Sequence, residues 1–233
     1  MSAEATLQVR REAKQRLDEW GEQAVLAGIC LSALAGFTAL AAAIVRDRNG
    51  PFDRSIVDLV GKSRRPFGNA IARALTFFGG PIGGPAMVLG ALGLVRRNRP
   101  LAAQVSIGSV GGILAELVVK RFFLRKRPTL LEHLERVQSS SFPSGHSMAA
   151  ASIYLTLAFV AARSKRLHGH RAALLGGAGV FASLVGGTRV YLGVHWPTDV
   201  LGGLSLGTAW ACATEAVFDL GATEEEAPQL ANA

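Results

Sequence analysis

Cysteine is scarce in this chain: there are two in 233 residues, Cys30 and Cys212, and both fall inside apolar runs. A disulfide-stapled fold is therefore excluded, and buried inert thiols are expected. Charge is absent from Gln23 to Val45 (QAVLAGICLSALAGFTALAAAIV). A run of that length crosses about 30 Å of hydrocarbon at about 1.5 Å per residue, which excludes an ordinary soluble domain. No small-residue cleavage pattern closes the run, so the leader 1–22 reads as a retained cytosolic helix and not as a removed signal peptide. A soluble basic domain is also missing. The net charge is +8, but the basic residues are dispersed between apolar runs, which favours anionic headgroups of the bilayer over nucleic acid as partners.

What the chain has in abundance is apolar length. Further runs lie at Ala74 to Val95, Leu101 to Phe123, Gly145 to Ala162, Ala172 to Thr188 and Val200 to Leu220. With the first they predict an all-α, polytopic membrane protein: a six-helix bundle over residues 23–220, followed by a polar tail, 221–233. Spacings such as Gly108 to Gly112 and Gly203 to Gly207 allow helices to approach closely. Between the first two runs, Phe52, Ile56, Leu59 and Val60 recur at helical spacing beside charged positions, predicting an amphipathic helix on the membrane surface.

The connections RRNRP (Arg96 to Pro100) and RSKRLHGHR (Arg163 to Arg171) are short, basic and free of acids. The positive-inside tendency puts them, and both termini, in the cytosol. Whatever the orientation, alternating helices bring four ends to one face: the end of the third span at Lys120 to Arg127, the start of the fourth after FPSGH (Phe142 to His146), the end of the fifth at Arg189 and the start of the sixth after His195.

The residues gathered there are Lys120, Arg127, Arg189, His146, His195, Asp199 and the Ser144-Gly145 turn. Three fixed cations near a bilayer repel one another unless an anion sits among them, and two guanidinium forks with an ammonium suit a phosphate-like dianion. Ser144 has the chemistry of a helix N-cap, Gly145 permits close backbone approach, and the first N–H groups of the fourth span would face negative charge. Pro197 suits a first helical turn, from which Asp199 reaches back to His195. A carboxylate holding one imidazole nitrogen leaves the other a lone pair, the arrangement of an activated nucleophile or base. Taken singly, Ser144 reads equally well as a plain cap and Asp199 as a capping acid beside an interfacial His-Trp pair.

Taken together, KRFFLRKRP (Lys120, Arg127, Pro128), PSGH (Pro143 to His146) and TRVYLGVHWPTD (Arg189, His195, Asp199) resemble, in order and spacing, the three-part signature of the type 2 phosphatidic acid phosphatase superfamily. Thr188 stands where that family often has Ser, and the hydroxyl is kept. The resemblance implies that His195 attacks phosphorus to give a phosphohistidine, that Asp199 orients it, and that His146 protonates the departing oxygen and then activates water. It implies that Lys120, Arg127, Ser144, Gly145 and Arg189 hold the phosphoryl oxygens. It also implies no metal and no other cofactor, in keeping with Asp199 as the only acid within the three blocks.

The remaining polar residues have plainer readings. Glu116, one turn before Lys120, is expected to form an ion pair with it. Glu215 is expected to pair or snorkel near the cytosolic end of the last span, and metal binding by His168 and His170 is disfavoured. Trp196 reads as an interfacial anchor and Trp210 as a packing residue.

The expected function is hydrolysis of a lipid phosphomonoester or of the terminal phosphate of a lipid diphosphate, at the outer face of a plasma (inner) membrane. Polyprenyl diphosphate, phosphatidic acid and phosphatidylglycerophosphate are the substrates the resemblance suggests. A lipid phosphotransferase using the same intermediate and a non-catalytic lipid-binding protein are the alternatives. The long apolar spans argue against the soluble vanadium haloperoxidases that share the signature.

Overall fold

The computed structural model describes residues 3–47 and 50–230, with side chains for 20–47 and 50–219. The helices are α1 (Ala3–Arg46), α2 (Pro51–Ser63), α3 (Pro66–Thr76), α4 (Gly83–Val95), α5 (Arg99–Ser106), α6 (Gly112–Lys120), α7 (Gly145–Ala162), α8 (Arg171–Tyr191) and α9 (Pro197–Leu230). There is no strand among the described residues. Prolines open four of the helices, at Pro51, Pro66, Pro100 and Pro197, where a missing N–H has no intrahelical partner to lose.

Five of the described helices are long and apolar enough to cross a membrane: Trp20–Arg46, Arg99–Lys120, Gly145–Ala162, His168–Tyr191 and Pro197–Asp219. A bent pair of helices stands where the sixth is expected. Pro66–Gly79 and Gly83–Val95 meet at 48°, so the expected span from Ala74 to Val95 begins earlier and bends at the Gly79-Gly80 turn. The Arg99–Lys120 span joins α5 to α6 through a π-helical turn, Ile107–Gly111. That widened turn presents the Ile107 carbonyl to the Trp210 indole N–H at 3.0 Å, so Trp210 bonds as well as packs.

The central helix is α7, which is apolar all round and packs against α5, α6, α8 and α9. Small residues allow this: a Cβ on Gly203 would meet the Ser144 carbonyl at 2.5 Å, and one on Gly207 the Met148 carbonyl at 2.6 Å. Gly108 and Gly112 likewise face Thr156 and Ser152 of α7. Both glycine spacings thus mark close helix contacts. By contrast α1 lies on the outside against α9, with Val25, Leu31 and Leu34 exposed as a lipid-facing surface requires. Leader and first span form one continuous helix. The expected cytosolic leader and polar tail fall largely where side chains lie outside the described residues.

The amphipathic helix exists as α2, but it does more than rest on a membrane surface. Phe52 and Leu59 are exposed, while Val57 is fully buried against Val190, Trp196 and Val200, and Asp53 on the same inward side is buried too. Between α6 and α7 the chain runs through residues 121–144 without a regular element and covers this end of the bundle. The loop is tied down by an aromatic trio, Phe142 stacking on Phe37 of α1 at 5.6 Å and meeting Phe123 edge-on at 4.8 Å. Leu134 also donates its N–H to the Leu192 carbonyl at 3.0 Å. The turn joining α8 to α9 needs Gly193, whose φ of 79° lies in the left-handed region.

Candidate active site

The three signature blocks meet at one end of the bundle, as helix alternation predicts. His195 lies in the short turn between α8 and α9, with its Nδ1 3.4 Å from Asp199 Oδ2. That approach falls short of hydrogen-bond geometry, and Oδ2 also accepts the Trp196 N–H at 2.8 Å and the Ser141 hydroxyl. The other nitrogen, Nε2, faces Arg127 Nη1 at 3.1 Å. With Nδ1 carrying the proton toward Asp199, the Nε2 lone pair points into the cationic side of the site. Burial pushes His195 down to about 4, against the upward pull of Asp199 and with Arg127 and Arg189 acting downward, so the imidazole is neutral near pH 7.

Arg127 is held by oxygen atoms of its own loop and of the turn between α8 and α9. It donates to the Ser139 carbonyl at 3.0 Å, the Val194 carbonyl at 2.5 Å, the Ser139 hydroxyl at 3.3 Å and the Ser140 carbonyl at 3.4 Å. Burial lowers its pKa, Asp199 opposes that and Arg189 adds to it. Among the described residues Arg127 makes no ion pair.

Arg189, almost fully buried at the end of α8, donates from Nη1 to Thr76 Oγ1 and to Glu135 Oε2, each at 2.6 Å. Its Nε is buried without a protein acceptor. Lys120 pairs with Glu116 at 2.8 Å, the ion pair expected one helical turn apart. Glu116 in turn lies against Gly145, where a Cβ would come within 2.7 Å of its Oε1. The bareness of Gly145 thus accommodates a carboxylate from α6.

Two of the three cations are offset without any ligand. The protein supplies two carboxylates of its own, Glu116 to Lys120 and Glu135 to Arg189.

Ser144 caps α7 and is fully buried. Its hydroxyl accepts from Ser147 Oγ at 2.9 Å and, at a long 3.5 Å, from the Ser147 N–H. Its own N–H donates to the Asp199 carbonyl at 3.0 Å, tying the starts of α7 and α9 together. His146 follows two residues later, within the first turn of α7, partly buried, under the Gly79-Gly80 bend: a Cβ on Gly80 would lie 3.4 Å from its Nε2. One on Gly79 would come within 2.8 Å of the His146 carbonyl, so a side chain there would push the bend off α7. The break in the second span thus becomes the wall over His146.

Several site residues escaped the sequence reading. Arg125 is buried and links Asp199 Oδ1 to Asp53 Oδ2, both at 2.5 Å. Asp53 falls among the charged positions of an amphipathic helix, and Arg125 among the basic residues of KRFFLRKRP. Glu135 and the serine run Ser139 to Ser141 looked like a plain connection. Trp196, expected at the membrane interface, is buried instead, with Nε1 donating to the Lys126 carbonyl at 2.9 Å and the Arg125 guanidinium 5.7 Å from its ring centre. Among the described residues no three His, Cys, Asp or Glu side chains gather where a metal ion could be held.

Comparison with known proteins agrees with this arrangement. A family model described as "PAP2 superfamily" matches residues 100–220. Phosphatidylglycerophosphatase B of Bacillus subtilis (strain 168) is 48% identical over 95 residues, 40% of this chain and 46% of that protein. Lipid A 1-phosphatase of Rhizobium johnstonii is 35% identical over 78 residues, 34% of this chain and 28% of that protein. The chain thus spans less than half the length of these two curated relatives. Among solved structures, that of a transmembrane PAP2-type phosphatidylglycerolphosphate phosphatase from Bacillus subtilis superposes with a TM-score of 0.73 at 32% identity, covering 81% of this chain and 94% of that one. With the family match extending over the helices that build the site, and the whole bundle shared with a solved relative, this integral membrane protein belongs to the PAP2 superfamily.

Proposed function

We propose that the chain is a membrane lipid phosphatase that works through a phosphohistidine on His195. The observation that carries this reading is the orientation of one imidazole: Nδ1 toward buried Asp199, Nε2 toward Arg127, with the unpartnered Nε of Arg189 in the same site. A phosphoryl group entering between Nε2 and Arg127 takes over the guanidinium N–H groups and exposes phosphorus to the lone pair. The phosphorus–oxygen bond to the lipid breaks as the bond to Nε2 forms, and His146 gives its proton to the departing oxygen. Water, deprotonated by His146, then attacks the phosphohistidine, releasing phosphate and restoring His195. Lys120, Arg127, Arg189, Ser144 and Gly145 hold the phosphoryl oxygens, where charge spreads in the transition state. No step calls for a metal.

Phosphatidylglycerophosphate heads the candidate substrates, because the Bacillus subtilis sequence and the Bacillus subtilis structure that this chain resembles are named for that activity. Phosphatidic acid and polyprenyl diphosphate follow. The site faces away from the cytoplasm across the plasma (inner) membrane, with both termini inside, on the strength of the acid-free basic connections RRNRP and RSKRLHGHR.

The test is phosphate release in detergent from these three lipids by the wild type and by His195→Ala. Release by the wild type alone, unaffected by a chelator and competed by vanadate, supports the reading. Dependence on added magnesium, or equal release by His195→Ala, overturns it. Transfer of label to an added acceptor lipid in place of water would identify a phosphotransferase. Orientation is read by cysteine labelling in intact cells: exposed Thr129 should label from outside and exposed Ser164 should not. Ser139 is unsuitable for that purpose, because it holds Arg127.

A further inference from the structure

Asp53 lies in the first turn of α2, about seventy residues before the first signature block, yet its carboxylate reaches the start of α9. Its Oδ1 accepts the Thr198 N–H at 2.9 Å, and its Oδ2 accepts the Thr198 hydroxyl at 2.6 Å. The first N–H groups of a helix have no intrahelical partner, so a carboxylate from α2 caps the helix that carries Asp199. The same Oδ2 accepts Arg125 Nη2 at 2.5 Å, while Arg125 Nη1 donates to Asp199 Oδ1 at 2.5 Å and to the Thr198 hydroxyl at 2.7 Å. The side chains of Asp53 and Arg125 are each 2% exposed, and that of Asp199 is fully buried.

Charge gives this ring its meaning. A guanidinium at one oxygen of Asp199 fixes the carboxylate and leaves the other oxygen aimed at His195, but it also neutralises the charge that the imidazole needs beside it. Asp53 offsets the guanidinium, so the buried trio carries the charge of a lone aspartate. A trio serving packing alone could be replaced by apolar groups of the same shape with no loss.

Resting on the phosphohistidine reading above, we propose that Asp53 and Arg125 are positioning residues for the nucleophile: Arg125 holds Asp199 in line with His195, and Asp53 restores the negative charge that Arg125 would cancel. Other charged or titratable groups face His195 as well. They are Arg127 from the 121–144 loop, Arg189 from α8 with its partner Glu135, and His146 from α7, which itself faces Lys120, the ion-pair partner of Glu116 on α6. The bonds that Lys120, Arg127 and Arg189 make run to Glu116, to Ser139, Ser140 and Val194, and to Thr76 and Glu135, so substitutions at Asp53 and Arg125 alter the charge behind His195.

The experiment measures kcat, KM and the acid limb of kcat/KM for full-length wild type, Asp53→Asn, Arg125→Gln and the double variant, with His195→Ala alongside and Tm for each. Asp53→Asn adds net positive charge behind the imidazole. Its kcat should fall on the order of tenfold at unchanged KM, and its acid limb should move down. Arg125→Gln leaves two carboxylates behind the imidazole and should move the acid limb up, by about one pH unit. The double variant restores the single negative charge and should recover kcat to within about threefold of wild type, the cross-term that a double-mutant cycle reads.

A purely structural ring would lower Tm in both single variants and move the acid limb in neither, which overturns the proposal. Displacement of both limbs in the same direction overturns it too. Should Asp53→Asn fail to fold, the upward limb of Arg125→Gln decides alone. A wild type that releases no phosphate, or a His195→Ala that matches it, defeats the phosphatase reading itself and the proposal with it.

Discussion

Two ionic clusters close the opposite ends of this bundle, one buried and one partly exposed, and they are built differently. At the site end, Asp53, Arg125 and Asp199 form a ring in which guanidinium and carboxylates meet at 2.5 Å, beside Arg127 and Arg189, whose side chains point into the site. At the other end, Glu215 of α9 is reached by Arg163 at 3.2 Å and Arg171 at 3.7 Å and accepts from the Gln104 amide, while Arg171 also pairs with Glu22 at 2.5 Å. There the charges cancel among themselves, and the Nε and Nη2 of Arg163 and the carbonyl of Gln104 make no hydrogen bond. One end holds its carboxylate in a single geometry. The other tolerates loose geometry, which is enough to keep α5, α7, α8 and α9 together but would not aim a nucleophile.

The largest expected effect separates the two ends by chemistry. His195→Ala should reduce phosphate release by at least about 10³-fold, since nucleophile and base act as a unit, while Tm changes little. Glu215→Ala should do the reverse, leaving kcat within about twofold and lowering stability by about 1 kcal/mol, because Arg163 and the Gln104 amide lose their partner while Arg171, partly exposed, keeps Glu22. A thermal-shift series run beside turnover reads both. A Glu215 variant that loses turnover at unchanged Tm would erase the contrast.

Acidity sharpens the same contrast on the site side. His195, driven by burial to about 4, stays unprotonated from neutral pH down to that value. As pH falls through it, the imidazole takes a proton and loses the lone pair that attacks, so activity is lost on the acid side. The acid limb of kcat/KM should therefore stand near 4 and not near 6.5, the ordinary value for histidine. A limb near 6.5 in the wild type would mean that His195 is far better solvated than its place between α8 and α9 implies.

Most of the fold was legible because membrane spans announce themselves by length and lack of charge, and helix alternation then forces four helix ends to one face. Lys120, Arg127, His146, Arg189, His195 and Asp199 were legible because three spaced blocks of polar residues stand out in apolar surroundings. Asp53 was not, since an acid in an amphipathic helix reads as solvated, and nothing local reveals that Val57 turns that face inward. Arg125 hid inside a basic cluster, where periodicity does not tell a buried guanidinium from a lipid-facing one. The bend at Gly79-Gly80 left a faint trace, a glycine-rich FGGPIGG in mid-span. The burial of Trp196 left none, because it depends on the Lys126 carbonyl from a loop seventy residues away.

Glu135 tests the finest part of the comparison, how a site rich in cations is kept stable between substrates. Its carboxylate bonds the guanidinium of Arg189 at 2.6 Å from an irregular loop, and it is the more exposed partner, 27% against 1% for Arg189. An incoming phosphoryl group competes with it for that guanidinium. Glu135→Gln removes the competing charge but keeps an acceptor for Arg189, so vanadate should inhibit about three- to tenfold more tightly, within the range for one partly exposed ion pair. The site-end ring is untouched by this change, so kcat should stay within about threefold. Weaker vanadate inhibition in Glu135→Gln would show that the carboxylate holds Arg189 in place for the phosphate and does not compete with it.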